Sequence, residues 1–281
     1  MELSISNSIL QHIENIEITS HKLKENNFDC IISGGGLKGY YNFGTCIILK
    51  KMHDKQLINI RHFVCVSSGA IIVTCLLCNI SLSQTILLYD ELKKSNHDLH
   101  KSVILLLDKM LPHNAHELCN SRIHIILSEL TTIGFKKVTI KNFENRKYLI
   151  DVLSASIFLP LFTSNNMHGI LIDNKLYYDG WFSGNIPIIE NNNLPQLIIE
   201  THNVDFSSTH VLSLTNKNPE LLIIKGVIEI EKLINNNMSE IPFKWHNKNI
   251  KKSFTPINNF IMFLMSIVIN IYIFIKHNLK F

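Results

Sequence analysis

Three groups of residues in this 281-residue chain have types and spacing suited to chemistry. The first is Cys65-Val66-Ser67-Ser68-Gly69, at the end of an apolar stretch and just before another. Ser67 is the middle residue of a G-x-S-x-G frame in which Cys65 stands where the first glycine usually does. A strand, a small-residue turn with serine and an apolar helix together make a nucleophile elbow, which lifts the hydroxyl out of the sheet. The hydroxyl then lies at a helix N-terminus, where a developing oxyanion is stabilised. Ser68 fits no such frame and suits the N-cap of the following helix.

The second group is Gly34-Gly35-Gly36-Leu37-Lys38-Gly39, between a predicted strand and a predicted helix. Amides at a helix N-terminus attract anionic oxygen, and only glycine lets backbone approach a ligand so closely. The string also satisfies G-x-G-x-x-G, the dinucleotide fingerprint. That fold needs an acid at the end of the next strand to hold the ribose. The next strand here ends Val64-Cys65-Val66-Ser67, without one, so the dinucleotide reading ranks low. The third group is Asp179-Gly180. Alone it reads as a turn. Beside a nucleophile, its carboxylate is a general base that can accept the serine proton directly.

The remaining reactive residue types point elsewhere. The six cysteines sit mostly in apolar runs, and Cys75-Leu-Leu-Cys78 lacks a second pair or a histidine at zinc spacing. Buried, reduced thiols are expected. None of the 14 histidines is required: His113 and His116-Glu117 do not form HExxH, and His124 lies within a strand pattern. No metal site is read. The net charge of +4 is scattered, with a small cluster at Lys248, Lys251 and Lys252. No basic stripe interleaved with aromatics is present, so nucleic acid is not expected as a partner.

The elements that must position these groups follow from periodicity. Strands are predicted at 28–33, 58–66, 122–127, 137–140 and 211–214, with a hairpin pairing 169–172 and 176–178 around Asp173-Asn174. Helices are predicted at 38–53 (interrupted by Gly44), 70–80, twice within 82–111, at 147–158 and at 221–234. Alternation of this kind implies an α/β domain with a mostly parallel sheet. The chain is 46% hydrophobic and 18% charged, ample for one core. The apolar run 260–275 is shorter than the about 20 residues a spanning helix needs. A buried or interfacial helix is the first reading and a C-terminal membrane anchor the sharper alternative. The N-terminus carries no signal-peptide pattern.

Together GGGLKG, the VSSG elbow and Asp179-Gly180-Trp181, in that order, resemble the patatin-like phospholipase family, in particular its adiponutrin and triglyceride-lipase branch. Leu118–Ile125 and Tyr148–Phe162 also resemble that branch. The resemblance covers residues 28–190. It leaves 1–27 as an N-terminal extension and 191–281 as the C-terminal part of the same domain. It implies a three-layer α/β/α fold and a lipid acyl hydrolase that cleaves phospholipid or acylglycerol esters. It also implies a Ser67–Asp179 dyad without histidine, and an oxyanion hole from the 34–39 loop, with Lys38 where the family has Arg or Lys. Cys65, Gly69 and Gly180 would support the elbow and the Asp loop. The resemblance implies no cofactor or metal, and a lipid substrate met at a membrane or lipid-droplet surface, on the cytoplasmic side. Oligomeric state is not implied. Cys65 and Trp181 depart from the pattern, and they motivate the alternative of a lipid-binding protein that keeps the fold with impaired catalysis.

Overall fold

The computed structural model describes residues 7–19, 23, 25–36, 39–94, 99–183, 193–200, 219–235, 243–246 and 256–278. The predicted strand at 211–214 lies outside them, as do Leu37 and Lys38 of the glycine loop. The elements are α1 (Asn7–Asn15), β1 (Asn27–Ile32), α2 (Gly39–Asp54), β2 (Asn59–Val66), α3 (Ser68–Leu77), α4 (Leu82–Lys94), α5 (Leu99–Met110), α6 (Ala115–Cys119), β3 (Ile123–Thr131) and β4 (Gly134–Ile140). They continue with α7 (Arg146–Ser156), β5 (Ile170–Ile172), β6 (Lys175–Asp179), a 3₁₀ turn (Gly180–Ser183), β7 (Gln196–Ile199), α8 (Pro219–Ile234), β8 (Phe243–His246) and α9 (Pro256–Asn278).

Among the described residues the strands form one eight-stranded mixed sheet, ordered β5-β6-β3-β2-β1-β7-β8 with β4 on β3. β1, β2, β3 and β7 pair in parallel at its centre. β4, β6 and β8 join antiparallel, and β5 is antiparallel to β6. Five strands therefore share one direction, as the α/β pattern predicts. β1 is buried at every position after Asn27, as a strand covered on both faces must be.

The main core joins β1, β2 and β3 to α1, α2, α3, α7 and α8 through residues such as Cys30, Ile32, Ile48, Ile72, Leu153 and Ile223. All six cysteines are free and buried. Gly44, which interrupts the helical pattern of α2, is a packing requirement. A Cβ there would stand 2.1 Å from the Ile223 carbonyl oxygen, and one on Gly226 would stand 2.3 Å from that of Tyr41. The two glycines let α2 and α8 cross backbone against backbone. The β5–β6 hairpin turns through Asp173 and Asn174 at φ 49° and 61°, the left-handed pair of a type I′ turn.

α9 corrects one expectation. Among the described residues no helix is long and apolar enough to cross a membrane, so the C-terminal anchor is not supported. Instead α9 packs Met262 and Ile269 against Phe158, Tyr178 and Phe182. The Asn270 side-chain amide donates to the Thr131 carbonyl at 3.3 Å.

Candidate active site

The site lies where strands end, and the register of β3 determines its layout. β2 runs parallel to β3, with Val66 opposite Ile126. β6 runs antiparallel to β3, with Asp179 opposite Leu127. β4 occupies the other edge of β3 over Ile125–Thr131. β2 and β6 must therefore share the remaining edge, and they meet on it head to head. Neither can continue, because the next register position is already taken by the other. Each chain turns out of the sheet at the junction, β2 at Ser67 and β6 at Gly180.

The two turns have different solutions. Ser67 adopts φ 55° and ψ −136°, a region L-residues rarely occupy. Such a conformation costs on the order of 1–3 kcal/mol and persists only where its surroundings enforce it. It has the strained strand-to-helix geometry that a nucleophile elbow uses. α3 begins at Ser68, and the Ser67 side chain makes no capping bond. The capping role expected of Ser68 is not observed; its hydroxyl instead accepts the Gly35 N–H at 3.4 Å. At Gly180 a Cβ would stand 2.5 Å from the Ile126 carbonyl oxygen, so only glycine lets the chain pass over β3.

Glycine is needed on the loop side as well. A Cβ on Gly34 would lie 2.7 Å from Ser67 Cβ and 3.5 Å from its Oγ. The loop thus passes directly over the nucleophile candidate. Gly36 sits at φ 53°, which glycine adopts without strain. Gly39 opens α2. Leu37 and Lys38 lie outside the described residues, so their expected contributions have no structural account. A Cβ on Gly69 would stand 2.9 Å from Ile32 Cγ2, so the start of α3 is seated tightly on β1. Cys65, two residues before Ser67, is fully buried in the main core. Burial raises its thiol pKa well above the usual value, with nearby Cys46 adding to the effect.

Asp179 is 1% exposed. Its Oδ1 accepts the Trp181 N–H at 2.9 Å, and its Oδ2 is buried with no partner within hydrogen-bonding limits. Burial pushes its pKa up from 3.8 to about 7, while the nearby Ser67 side chain and the Trp181 amide act in the opposite direction. Ser67 is thus near enough to Asp179 to influence its titration, and Oδ2 is left with no hydrogen-bond partner. A carboxylate poised near neutrality suits a general base.

Sequence reasoning missed one supporting residue. The Ser156 hydroxyl, from the end of α7, donates to the Ser67 carbonyl at 3.3 Å and to that of Leu153 at 2.9 Å. It braces the elbow from behind. The Ala155-Ser156 pair stands within the stretch that resembles the family, but only the packing of α7 against the elbow reveals its contact. Among the described residues no group of His, Cys, Asp or Glu is arranged to hold a metal.

Comparison with known proteins assigns the chain to a family. The chain is 24% identical over 180 residues to 1-acylglycerol-3-phosphate O-acyltransferase Pnpla3 of Mus musculus, covering 59% of this chain and 42% of that protein. It is 24% identical over 170 residues to patatin-like phospholipase domain-containing protein 4 of Homo sapiens, covering 55% of this chain and 64% of that protein. The chain thus spans less than two thirds of either relative. Among solved structures, the ExoU–SpcU complex from the type III secretion system of Pseudomonas aeruginosa superposes with TM-score 0.39 at 13% identity, over 80% of this chain and 54% of that one. The family model described as patatin-like phospholipase matches residues 31–191, more than half of the chain, from β1 through the elbow to beyond Asp179, and the chain belongs to that family.

Proposed function

We propose that the protein is a serine hydrolase of lipid esters in which Ser67 is the nucleophile and Asp179 the only side-chain base. The observation that supports this reading is the head-to-head meeting of β2 and β6 on β3, which ends the strand before a strained serine and the strand of a buried carboxylate at consecutive register positions. Ser67 Oγ attacks the ester carbonyl carbon, and Asp179 takes its proton. The tetrahedral oxyanion is received by loop amides, among them those of Gly35 and Gly36. One such donor is typically worth about 100- to 1000-fold in rate. The Gly35 amide must exchange its long bond to Ser68 for this purpose. Collapse expels the alcohol, which takes the proton back from Asp179 and leaves an acyl-Ser67 ester. Water, deprotonated by Asp179, then attacks that ester; the fatty acid leaves and Ser67 regains its proton. Every covalent step is carried by the chain's own groups.

The Pnpla3 relative is named an acyltransferase. The same acyl-Ser67 ester would pass its acyl group to an alcohol in place of water, so the acceptor rather than the dyad separates the two outcomes. The second reading, a lipid binder with impaired catalysis, is favoured by one observation: the Gly35 amide is already engaged by Ser68. Release of nitrophenol from a short-chain ester, together with fatty acid from a phospholipid, tests both. Wild type turns over and Ser67→Ala does not if the hydrolase reading holds. An inactive wild type that still binds liposomes supports the second reading.

A further inference from the structure

We propose that the outward face of α9, flanked by the exposed Ile133 and Trp181, is a docking surface that lays the protein flat on a lipid surface bearing anionic headgroups. This rests on the lipid-ester reading above and adds the face by which the site meets its substrate.

α9 has two apolar stripes. The inner one, Met262 and Ile269 with the buried Ser266 between them, is 9%, 1% and, at Ser266, 1% exposed. On the opposite side Leu264, Val268, Ile271 and Ile275 follow at helical spacing and are 45–55% exposed. A surface helix ordinarily turns charge outward, and a helix apolar on both faces needs a second apolar medium. Among the described residues no helix is long and apolar enough to cross a bilayer. Lying in the interfacial plane satisfies both conditions.

Charge and continuity select the occupant. The 23 residues of α9 contain no Asp or Glu, and Lys276 stands near the C-terminal end, 5.8 Å from the Tyr272 ring. A phosphate-bearing surface meets no repulsion there and gains one cation. The inner stripe of α9 packs on Phe158, Tyr178 and Phe182. Phe182 touches Trp181 edge-on at 5.6 Å, and Trp181, half exposed, follows Asp179 by two residues. Ile133, exposed in the β3–β4 turn, precedes Gly134, which packs beside Phe263 and Ser266 of α9. An exposed indole next to the candidate base suits the headgroup boundary, where tryptophan partitions favourably.

The test is co-sedimentation of the full chain with phosphatidylcholine vesicles, with and without phosphatidylglycerol. Turnover of a soluble short-chain ester is measured in parallel. Wild type partitions onto vesicles, more strongly with phosphatidylglycerol. Leu264→Glu/Ile271→Glu weakens partitioning by about 10- to 100-fold and leaves soluble-ester turnover unchanged. Leu264→Lys/Ile271→Lys regains binding on phosphatidylglycerol vesicles alone. Should the glutamate pair disturb folding, brominated-lipid quenching of Trp181 in Trp245→Phe gives the same answer, and absence of quenching overturns the proposal. Wild-type partitioning retained by the glutamate variant also overturns it. So does a dimer that the variant splits while vesicle binding persists, which would make this face an interface between copies. Loss of soluble-ester turnover in wild type would remove the hydrolase reading instead, independently of vesicle binding.

Discussion

Val66 and Asp179 occupy consecutive register positions on one edge of β3, opposite Ile126 and Leu127. They end strands that approach from opposite directions. The residue after Val66 is Ser67, and it has no place left in the sheet. The elbow's strain and the adjacency of Ser67 and Asp179 at the ends of their strands thus have one cause, the sharing of a strand edge.

Ser67 and Ser68 separate cleanly under this account. Ser67→Ala should lower kcat on a soluble ester by at least about 1000-fold, since the covalent route is lost. Ser68→Ala should stay within about tenfold of wild type, because it takes away a long contact to the Gly35 amide and leaves the nucleophile in place. Parallel kcat measurements check the pair. Equal losses would assign the chemistry to the turn as a whole.

The pH dependence follows from Asp179, whose pKa burial raises to about 7. The base form is the active one, so kcat/KM should climb with pH and level off above about 7. At pH 5 it should be about 100-fold below the plateau. Asp179→Asn should lose about 100- to 10000-fold and flatten the profile.

The same shift makes a stability prediction of opposite sign. A carboxyl with a raised pKa is protonated more readily in the folded state than in the unfolded chain. Its contribution to stability is intact below pH 3.8 and is lost as pH rises through about 7. Three pH units correspond to about 4 kcal/mol at most. Asp179→Asn should therefore match wild type near pH 4 and be the more stable protein at pH 8, by denaturant titration. Equal stability across that range would show that the carboxylate is well solvated.

Gly180→Ala places a methyl on the Ile126 carbonyl oxygen, at 2.5 Å. It should abolish activity and lower stability by about 1–3 kcal/mol, because backbone must shift. Cys65→Gly restores the family's glycine but empties a fully buried site. It should lower stability by about 1–3 kcal/mol without raising kcat. A gain in kcat would mean that Cys65 crowds the elbow.

Much of this arrangement was legible in the sequence. The central strands, the elbow, the glycine loop and the Asp-Gly turn announce themselves through apolar runs that stop at small residues. β7 and β8 did not, because Gln196–Ile199 and Phe243–His246 are four-residue strands with too little length to show a period. Gly44 looked like a helix defect because its reason, the Ile223 backbone, lies far along the chain. The Ser68 cap failed because the hydroxyl found a partner in another loop. The apolar run 260–275 proved to be part of a longer helix with one face on the fold. The approach of Ser67 to Asp179 depends on the register of β3 with three neighbours, which no local pattern encodes.

The most direct test of the central claim is covalent labelling with a lipid-like fluorophosphonate, followed by peptide mass spectrometry. The account predicts one phosphonylated residue, Ser67, with labelling absent in Ser67→Ala, slowed in Asp179→Asn and retained in Ser68→Ala. A label on any other serine, or none on the active wild-type protein, would contradict it.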